Sequence, residues 1–423
     1  RRQRQMCIRD RSNNKLNLEK FSSLVFQFYE ENNLEPFSSW SNALSYIDER
    51  QGNKKLVLVI DEFPYLVKKN RALLSEFQHL IDHKLTNGKL FLILSGSYMG
   101  FMEKEVLGSN SPLFGRRTAQ LHMKPFTYQT SSKFMTGFSD EEKLMLYGAY
   151  GGTPLYLQQI NEKESFEENI KRTYLKVTSY LYEEALLLLR QEVQEPGVYS
   201  AIIEAIASGY TKANEISTKI GEDSAKCLKY IKILCELGIL HKETPFGEKE
   251  SSRKTIYGIS DFMFRFWYRY VFTNRTLIET GAQQVVWEKR IKPDYCSYMG
   301  LVFEKVCMDY LNSKNARGEL PILYTSIGRW WGTNAATHGQ EEIDLIANDG
   351  KDYLFGECKW RNEKLDISVL KDLKAKADVF RINRKNSYYV LFSKSGFTEA
   401  VLNEVRSDDS ILLVDLAELM TSC

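Results

Sequence analysis

The chain has 423 residues, 43% hydrophobic and 26% charged, with 24 Tyr and 23 Phe. At about 150 residues per domain this is roughly three globular domains with sizeable cores, and a disordered scaffold is excluded. Lys and Arg number 57 against 55 Asp and Glu, a net charge of +2, so no global positive field advertises a nucleic-acid binder and any such affinity must come from a local patch.

Residues 1–12 (RRQRQMCIRDRS) are Arg-rich and aperiodic, and read as a foreign scar or tag joined to a chain whose natural beginning is missing. Apolar residues at Phe21, Leu24, Val25 and Phe28 predict an amphipathic helix over 17–28, and a second covers 38–47. LVLVI, residues 56–60, predicts a buried strand ending in Asp61 and Glu62. A helix over 73–85 follows, then a second buried strand, 90–94, that stops at Ser95-Gly96-Ser97. Strands alternating with helices predict a parallel α/β sheet covered on both faces, its ligand at the carboxyl ends of the strands. Residues 125–193 are helical in pattern apart from Gly151-Gly152-Thr153-Pro154. Three short helices and a hairpin over 199–259, with a charged tip at 247–254, have a winged helix-turn-helix outline. An aromatic linker, 262–272, leads to a last domain. It reads as helix (300–311), strand pair (342–347 and 352–358), helix (367–379), strand (387–392), helix and strand (411–414). Seven scattered cysteines without a C-x-x-C pair, no apolar run near the ~20 residues of a membrane span, and no signal peptide suit a cytoplasmic protein with reduced thiols.

An apolar strand ending in Asp-Glu is the Walker B pattern, in which Asp holds Mg²⁺ and Glu orients or deprotonates the attacking water. The plain alternative is a strand with a solvated acidic end. Four segments in one order favour the former: IDEFPYL (60–66), LILSGS (92–97), PLFGRR (112–117) and YGGTPLYL (150–157). With them the chain resembles prokaryotic, largely archaeal, P-loop ATPases of the AAA/STAND class with a restriction-endonuclease-like C-terminal domain (DUF234), over about residues 15–420. The resemblance implies ATP and Mg²⁺ as cofactors, Asp61 as the Mg²⁺-linked carboxylate and Glu62 as catalytic base. It also implies Ser97 at the sensor position, Arg116 within reach of the γ-phosphate, and Gly152 and Pro154 near the adenine. Arg116 and Arg117 read equally as exposed loop charges, and Gly152-Thr153-Pro154 equally as a helix-breaking turn.

The Walker A loop, G-x-x-x-x-G-K-[ST], is absent: Asn87-Gly88-Lys89-Leu90 has neither the upstream glycine nor the hydroxyl. Without those backbone amides and that lysine nothing cradles the β- and γ-phosphates. The expectation is therefore an ATPase-family chain that hydrolyses ATP poorly or not at all, with strands that lack a partner and expose an edge.

In the third helix of the winged-helix outline, Lys226, Lys229 and Lys232 fall opposite Leu228, Ile231 and Leu234 at about 100° per residue. Such a cationic face is what a recognition helix needs to meet duplex DNA, although three lysines on a solvated face are commonplace. Winged helices also serve as packing modules. Residues 342–360 read EIDLIANDGKDYLFGECKW. A two-residue Asp349-Gly350 turn sets Asn348 against Lys351, Asp344 against Phe355 and Glu342 against Glu357. Glu342, Asp344, Glu357 and Lys359 then project from one face, with Asp344 and Glu357 diagonal neighbours roughly 7 Å apart. Carboxylates so close raise one another's pKa unless a divalent cation binds between them.

The pattern resembles the PD-(D/E)xK nucleases, whose first helix also supplies an acid, here Glu304. The resemblance implies Mg²⁺-dependent hydrolysis of a DNA phosphodiester, with Asp344 and Glu357 as metal ligands and Lys359 and Glu304 assisting. The alternative is a degenerate nuclease fold kept for DNA binding or partner docking. His79 and His83 share a helix face, yet nothing nearby completes a zinc set. Trp330 and Trp331 read as core, with Arg329 available to a DNA phosphate, and Cys358 as buried on the opposite face of its strand.

The fold class read from the sequence is thus α/β. It comprises an incomplete P-loop NTPase parallel sheet (13–125) with helical lid (126–195), a winged helix-turn-helix (196–262), a helical linker (263–297) and a PD-(D/E)xK-like α/β domain (298–423). The expected function is nucleotide-regulated action on double-stranded DNA, with a homo-oligomer admitted and no membrane partner. The rival is a signalling or defence switch whose last domain only docks partners.

Overall fold

A computed structural model describes residues 14–32, 34–51, 55–85, 90–97, 99–334, 337–380 and 384–421. The Arg-rich segment 1–12, Asn87-Gly88-Lys89, Cys7 and Cys423 lie outside the described residues. The chain divides into two compact units, Arg1–Met123 and Lys124–Cys423.

In the first unit, β1 (Leu56–Ile60) and β2 (Leu90–Leu94) pair in parallel, Leu56 against Leu90 through Ile60 against Leu94. Helices α1 (Asn14–Phe28), α2 (Trp40–Gln51), α3 (Phe63–Lys69) and α4 (Ala72–Leu80) accompany them. Phe21, Trp40, Leu44, Phe63 and Phe77 form the core with Ile60 and Leu90, and Leu56, Leu58, Leu92 and Leu94 pack against it. Because side chains alternate along a strand, the odd-numbered set points away: Val57, Phe91 and Ile93 are 50%, 58% and 39% exposed. The expectation of a sheet covered on both faces is therefore corrected. A continuous apolar run promises two buried faces, but here it packs only its even positions against helices.

The second unit begins with helices α5 (Asp140–Tyr150), α6 (Phe166–Tyr174) and α7 (Tyr180–Glu192). Capping boxes start two of them, Ser139 with Glu142 and Ser165 with Glu168. Then come α8 (Pro196–Ala207), α9 (Ala213–Ile220) and α10 (Ser224–Glu236), followed by the antiparallel pair β3 (Leu240–Glu243) and β4 (Ile256–Ile259). The long helix α11 (Tyr295–Ala316) comes after the aromatic stretch 262–272. Tyr295 and Tyr298 are buried against α5, their hydroxyls donating to the carbonyls of Met145 (2.6 Å) and Gly148 (2.7 Å).

The unit ends in a five-stranded sheet of order β5 (Ser326–Thr333), β6 (Gln340–Asn348), β7 (Tyr353–Lys359), β8 (Ser387–Ser393), β9 (Ile411–Asp415). The first two pairings are antiparallel and the last two parallel, with α12 (Ile367–Val379) and α13 (Glu399–Ser407) in the crossovers. Strand β5 was not anticipated. Its sequence, SIGRWWGT, carries no clean alternation, and its pairing slips between Gly328 and Trp330. The β6–β7 register also differs from the two-residue turn expected. Asn348 pairs with Tyr353, not Lys351, and Ile346 rather than Asp344 faces Phe355. The reason is the Asp349 carboxylate, which accepts the amides of Lys351 (2.9 Å) and Asp352 (2.8 Å) and so holds a four-residue turn. Among the described residues no helix is long and apolar enough to cross a membrane.

Candidate functional site

At the end of β1, Asp61 accepts the Ser95 hydroxyl at 2.6 Å and the Glu62 amide at 3.0 Å. Glu62 sits in the left-handed region (φ 55°) as the residue before α3, a conformation uncommon for a side chain of this kind and concentrated at functional sites. Its carboxylate receives the Ser97 hydroxyl at 3.1 Å. The structure thus brings Asp61, Glu62 and Ser97 together at the carboxyl ends of the two strands and adds Ser95, which the sequence reading did not assign. Arg116 is held elsewhere. Its guanidinium donates to Asp82 twice, at 2.7 and 2.8 Å, and to the carbonyls of Pro112 (2.9 Å) and Phe114 (3.1 Å). That pairing draws the Asp82 carboxyl below its ordinary value.

Gly152 and Pro154 belong to the second unit. A Cβ on Gly152 would lie 2.0 Å from the Phe126 carbonyl oxygen, and the Phe126 amide donates to the Gly152 carbonyl at 2.8 Å. The glycine is therefore fixed by a backbone neighbour, and Pro154 opens a short helix (Pro154–Leu157).

On α10 the buried residues are Cys227, Tyr230, Ile231 and Leu234, an i, i+3, i+4, i+7 set. Leu228 is 43% exposed, so its expected place in the core is corrected: Cys227 is buried instead, while Ile231 and Leu234 are buried as expected. Lys226 pairs with Glu222 (3.1 Å) and lies 5.6 Å from the Tyr230 ring, while Lys229 and Lys232 stand exposed.

The densest group of charges lies in the five-stranded sheet. Ladder pairing of β6 with β7 stops at Leu345 and Gly356. Beyond it the Asp344 carboxylate takes the Cys358 amide at 2.8 Å. Ile343 and Ile346 share one core with Phe355 although they are three residues apart, so the bulge opposite Gly328 and Trp330 inserts a residue at this point and re-aims Asp344. The expected arrangement of four charges on one regular face is corrected accordingly, and they divide into two sets. Asp344 and Glu357, 8% and 4% exposed, converge on the Lys359 ammonium, which lies 3.6 Å from Asp344 and in direct contact with Glu357. Lys376 of α12 reaches Glu357 from the other side at 3.3 Å.

Glu342 instead meets Arg329 of β5 at 3.2 Å. Arg329 also faces Glu243 of β3 at 3.1 Å and Glu304 of α11 at 3.9 Å. It is enclosed by three carboxylates, with its Nε buried and unpartnered, so the expectation that it is available to a DNA phosphate is corrected. Its backbone carbonyl accepts the Phe246 amide at 2.8 Å, which ties the β3–β4 loop to β5.

Burial, reinforced by Glu357, pushes the Asp344 carboxyl up to about 6. Burial and the charge of Asp344 push Glu304 up to about 8. Burial alone would lower Lys359, but Asp344 and Glu357 carry it above the ordinary lysine value. Lys376, Arg329 and Glu243 were missed or misplaced from sequence. Among the described residues no set of three or more His, Cys, Asp or Glu side chains is gathered as a metal site, so the centre offers a cation two close carboxylates. Cys358 is buried, as its strand alternation implied. His79 and His83 lie ring against ring, 4.6 Å between centroids.

A mixed α/β protein with strand-end acids in its first unit is what an ATPase-like domain requires, and comparison with known proteins agrees. Residues 4–160 match an ATPase domain found predominantly in Archaea. Residues 267–375 match DUF234, a family of archaeal and bacterial proteins of unknown function. The uncharacterized protein MJECL04 of Methanocaldococcus jannaschii is 36% identical over 369 residues, covering 86% of this chain and 80% of that protein. A second protein of that organism, the uncharacterized MJ0424, is 42% identical over 52 residues, 12% of this chain and half of its own length. Protein VC1899 from Vibrio cholerae, a crystal structure, aligns over 96% of this chain and 86% of its own with 10% identity and a TM-score of 0.23. The chain belongs to the archaeal-type ATPases that join this ATPase domain to a C-terminal DUF234 domain.

Proposed function

We propose that this ATPase-family chain acts on double-stranded DNA, with nucleotide and Mg²⁺ as cofactors and a Mg²⁺-dependent phosphodiester hydrolase centre at Asp344, Glu357 and Lys359. One observation carries the reading: two buried carboxylates from neighbouring strands converge on the Lys359 ammonium. Burying carboxylates is costly unless a cation neutralises them, and the place that Lys359 fills is one a divalent cation fits. The donor set, the two carboxylates Asp344 and Glu357, suits a hard ion with oxygen ligands. When bound, such an ion supplies Lewis acidity and a water of lowered pKa.

The chain's own residues supply the rest. Asp344 is fixed by the Cys358 amide. Lys376 partly neutralises Glu357. With a cation held by Asp344 and Glu357, Lys359 would be the group to orient the attacking water or the phosphoryl oxygens. Glu304, whose carboxyl is raised by burial and by the charge of Asp344, is the neighbouring acid that would serve the leaving oxygen. In this reading α8, α9, α10 and the β3–β4 hairpin form a winged helix that presents Lys229 and Lys232 to the duplex, and Asp61 with Glu62 serves the nucleotide's Mg²⁺.

A second reading, a switch whose last domain only docks partners, draws on the same geometry: Lys359, Lys376 and Arg329 already give the acids cationic partners. Incubating the chain with duplex DNA with and without Mg²⁺ separates the two. The first reading expects cleavage that Asp344→Ala abolishes; equal cleavage by variant and parent removes Asp344 from the mechanism, and none by either favours the second.

A further inference from the structure

The loop between β3 and β4 is a folded structure. Within it the Ser252 amide donates to the Lys249 carbonyl (2.8 Å), the Thr255 hydroxyl to the Ser252 carbonyl (2.6 Å), and Lys254 pairs with Glu248 (2.8 Å). Its base is pinned on both sides, by the Tyr257 amide on the Thr211 carbonyl and by the Phe246 amide on the Arg329 carbonyl, each 2.8 Å. Between this loop and the start of α9 runs an open cleft of about 530 Å³. Lys212, Lys242 and Arg253 line it against one acidic residue, Glu250. The Lys242 ammonium donates to the Glu250 carbonyl at 2.5 Å, and Lys212 leans on Glu215 at 3.6 Å.

We propose that this cleft seats the sugar–phosphate backbone of duplex DNA, an assignment that rests on the nucleic-acid reading above. Cations and hydroxyls on fixed walls are what a phosphodiester needs. The single aromatic side chain of the lining, Tyr257, is 9% exposed, so no ring is offered for a base to stack on. The chemistry therefore selects backbone and is indifferent to sequence. The walls are held before any ligand arrives, which spares the ordering cost of binding. The cleft is distinct from the lysine face of α10 and adds a second line of contact on the same three-helix and hairpin segment.

The test is duplex affinity of the full chain measured across a salt series for the parent, Lys242→Ala/Arg253→Ala, Glu250→Gln and Lys229→Ala/Lys232→Ala. All five positions are exposed, so melting temperatures should match the parent's. Each phosphate contact contributes about 0.9 to the slope of log affinity against log salt. The double cleft variant should lose about tenfold in affinity at low salt and about 2 in slope, and Glu250→Gln should bind about twofold tighter. Parental affinity and slope in both cleft variants, with loss confined to Lys229→Ala/Lys232→Ala, would overturn the cleft and leave the nucleic-acid reading standing. No salt-dependent duplex binding by the parent would overturn both.

Discussion

Glu304 carries the sharpest residue-scale consequence of the acidic centre. Burial and the charge of Asp344 push its carboxyl up to about 8 in the folded chain, against about 4 for an unstructured glutamate. A folded value raised above the unfolded one contributes stability that is intact below about pH 4 and lost as the pH rises through about 8. Glu304→Gln carries no such penalty. Its melting temperature relative to the parent should therefore climb between about pH 5 and about pH 8 and level off above that, and a difference that stays flat across that range would refute the burial account. Asp344 and Glu357 were legible because acids on adjacent strands, one of them two residues before a lysine, meet in any register that keeps strand parity. Lys376 was not, since Lys371, Lys374 and Lys376 crowd one helix and nothing in their spacing says which turns inward. Arg329 was misjudged because a charged residue beside two tryptophans gives no hint that three carboxylates surround it.

At the scale of elements, α12 and β8 were read almost to the residue, helped by dense apolar patterning and clear breaks between them. The β6–β7 register was missed by two positions because Asp349 uses its own carboxylate to shape the turn, a tertiary detail that the dipeptide Asp349-Gly350 does not reveal. The even shift preserved strand parity, so the acids still met; the bulge then sorted Glu342 toward Arg329. The open face of β1 and β2 has its own consequence. Val57, Phe91 and Ile93 form an exposed apolar surface on a two-stranded sheet, a feature that invites association. Phe91→Ser should lower concentration-dependent light scattering of the full chain while leaving its melting temperature near the parent's. Unchanged scattering would show that this face is not sticky.

For the whole molecule, sequence and family comparison agree on a family of ATPases, and the structure puts acids at strand ends in each unit. The phosphate-cradling loop is the feature this sequence does not contain, and the Arg116 guanidinium is engaged by Asp82. ATP titrated into the chain should therefore bind more weakly than micromolar; micromolar affinity would contradict that expectation.

The claim that joins these observations is that β6 and β7, beyond the end of their ladder, gather Asp344 and Glu357 around a cation position. Calorimetric titration of Mn²⁺ into the full chain and into Asp344→Asn near pH 8 tests it without relying on any activity. The account predicts one saturable site in the parent that the variant lacks, and identical isotherms for the two proteins would contradict it.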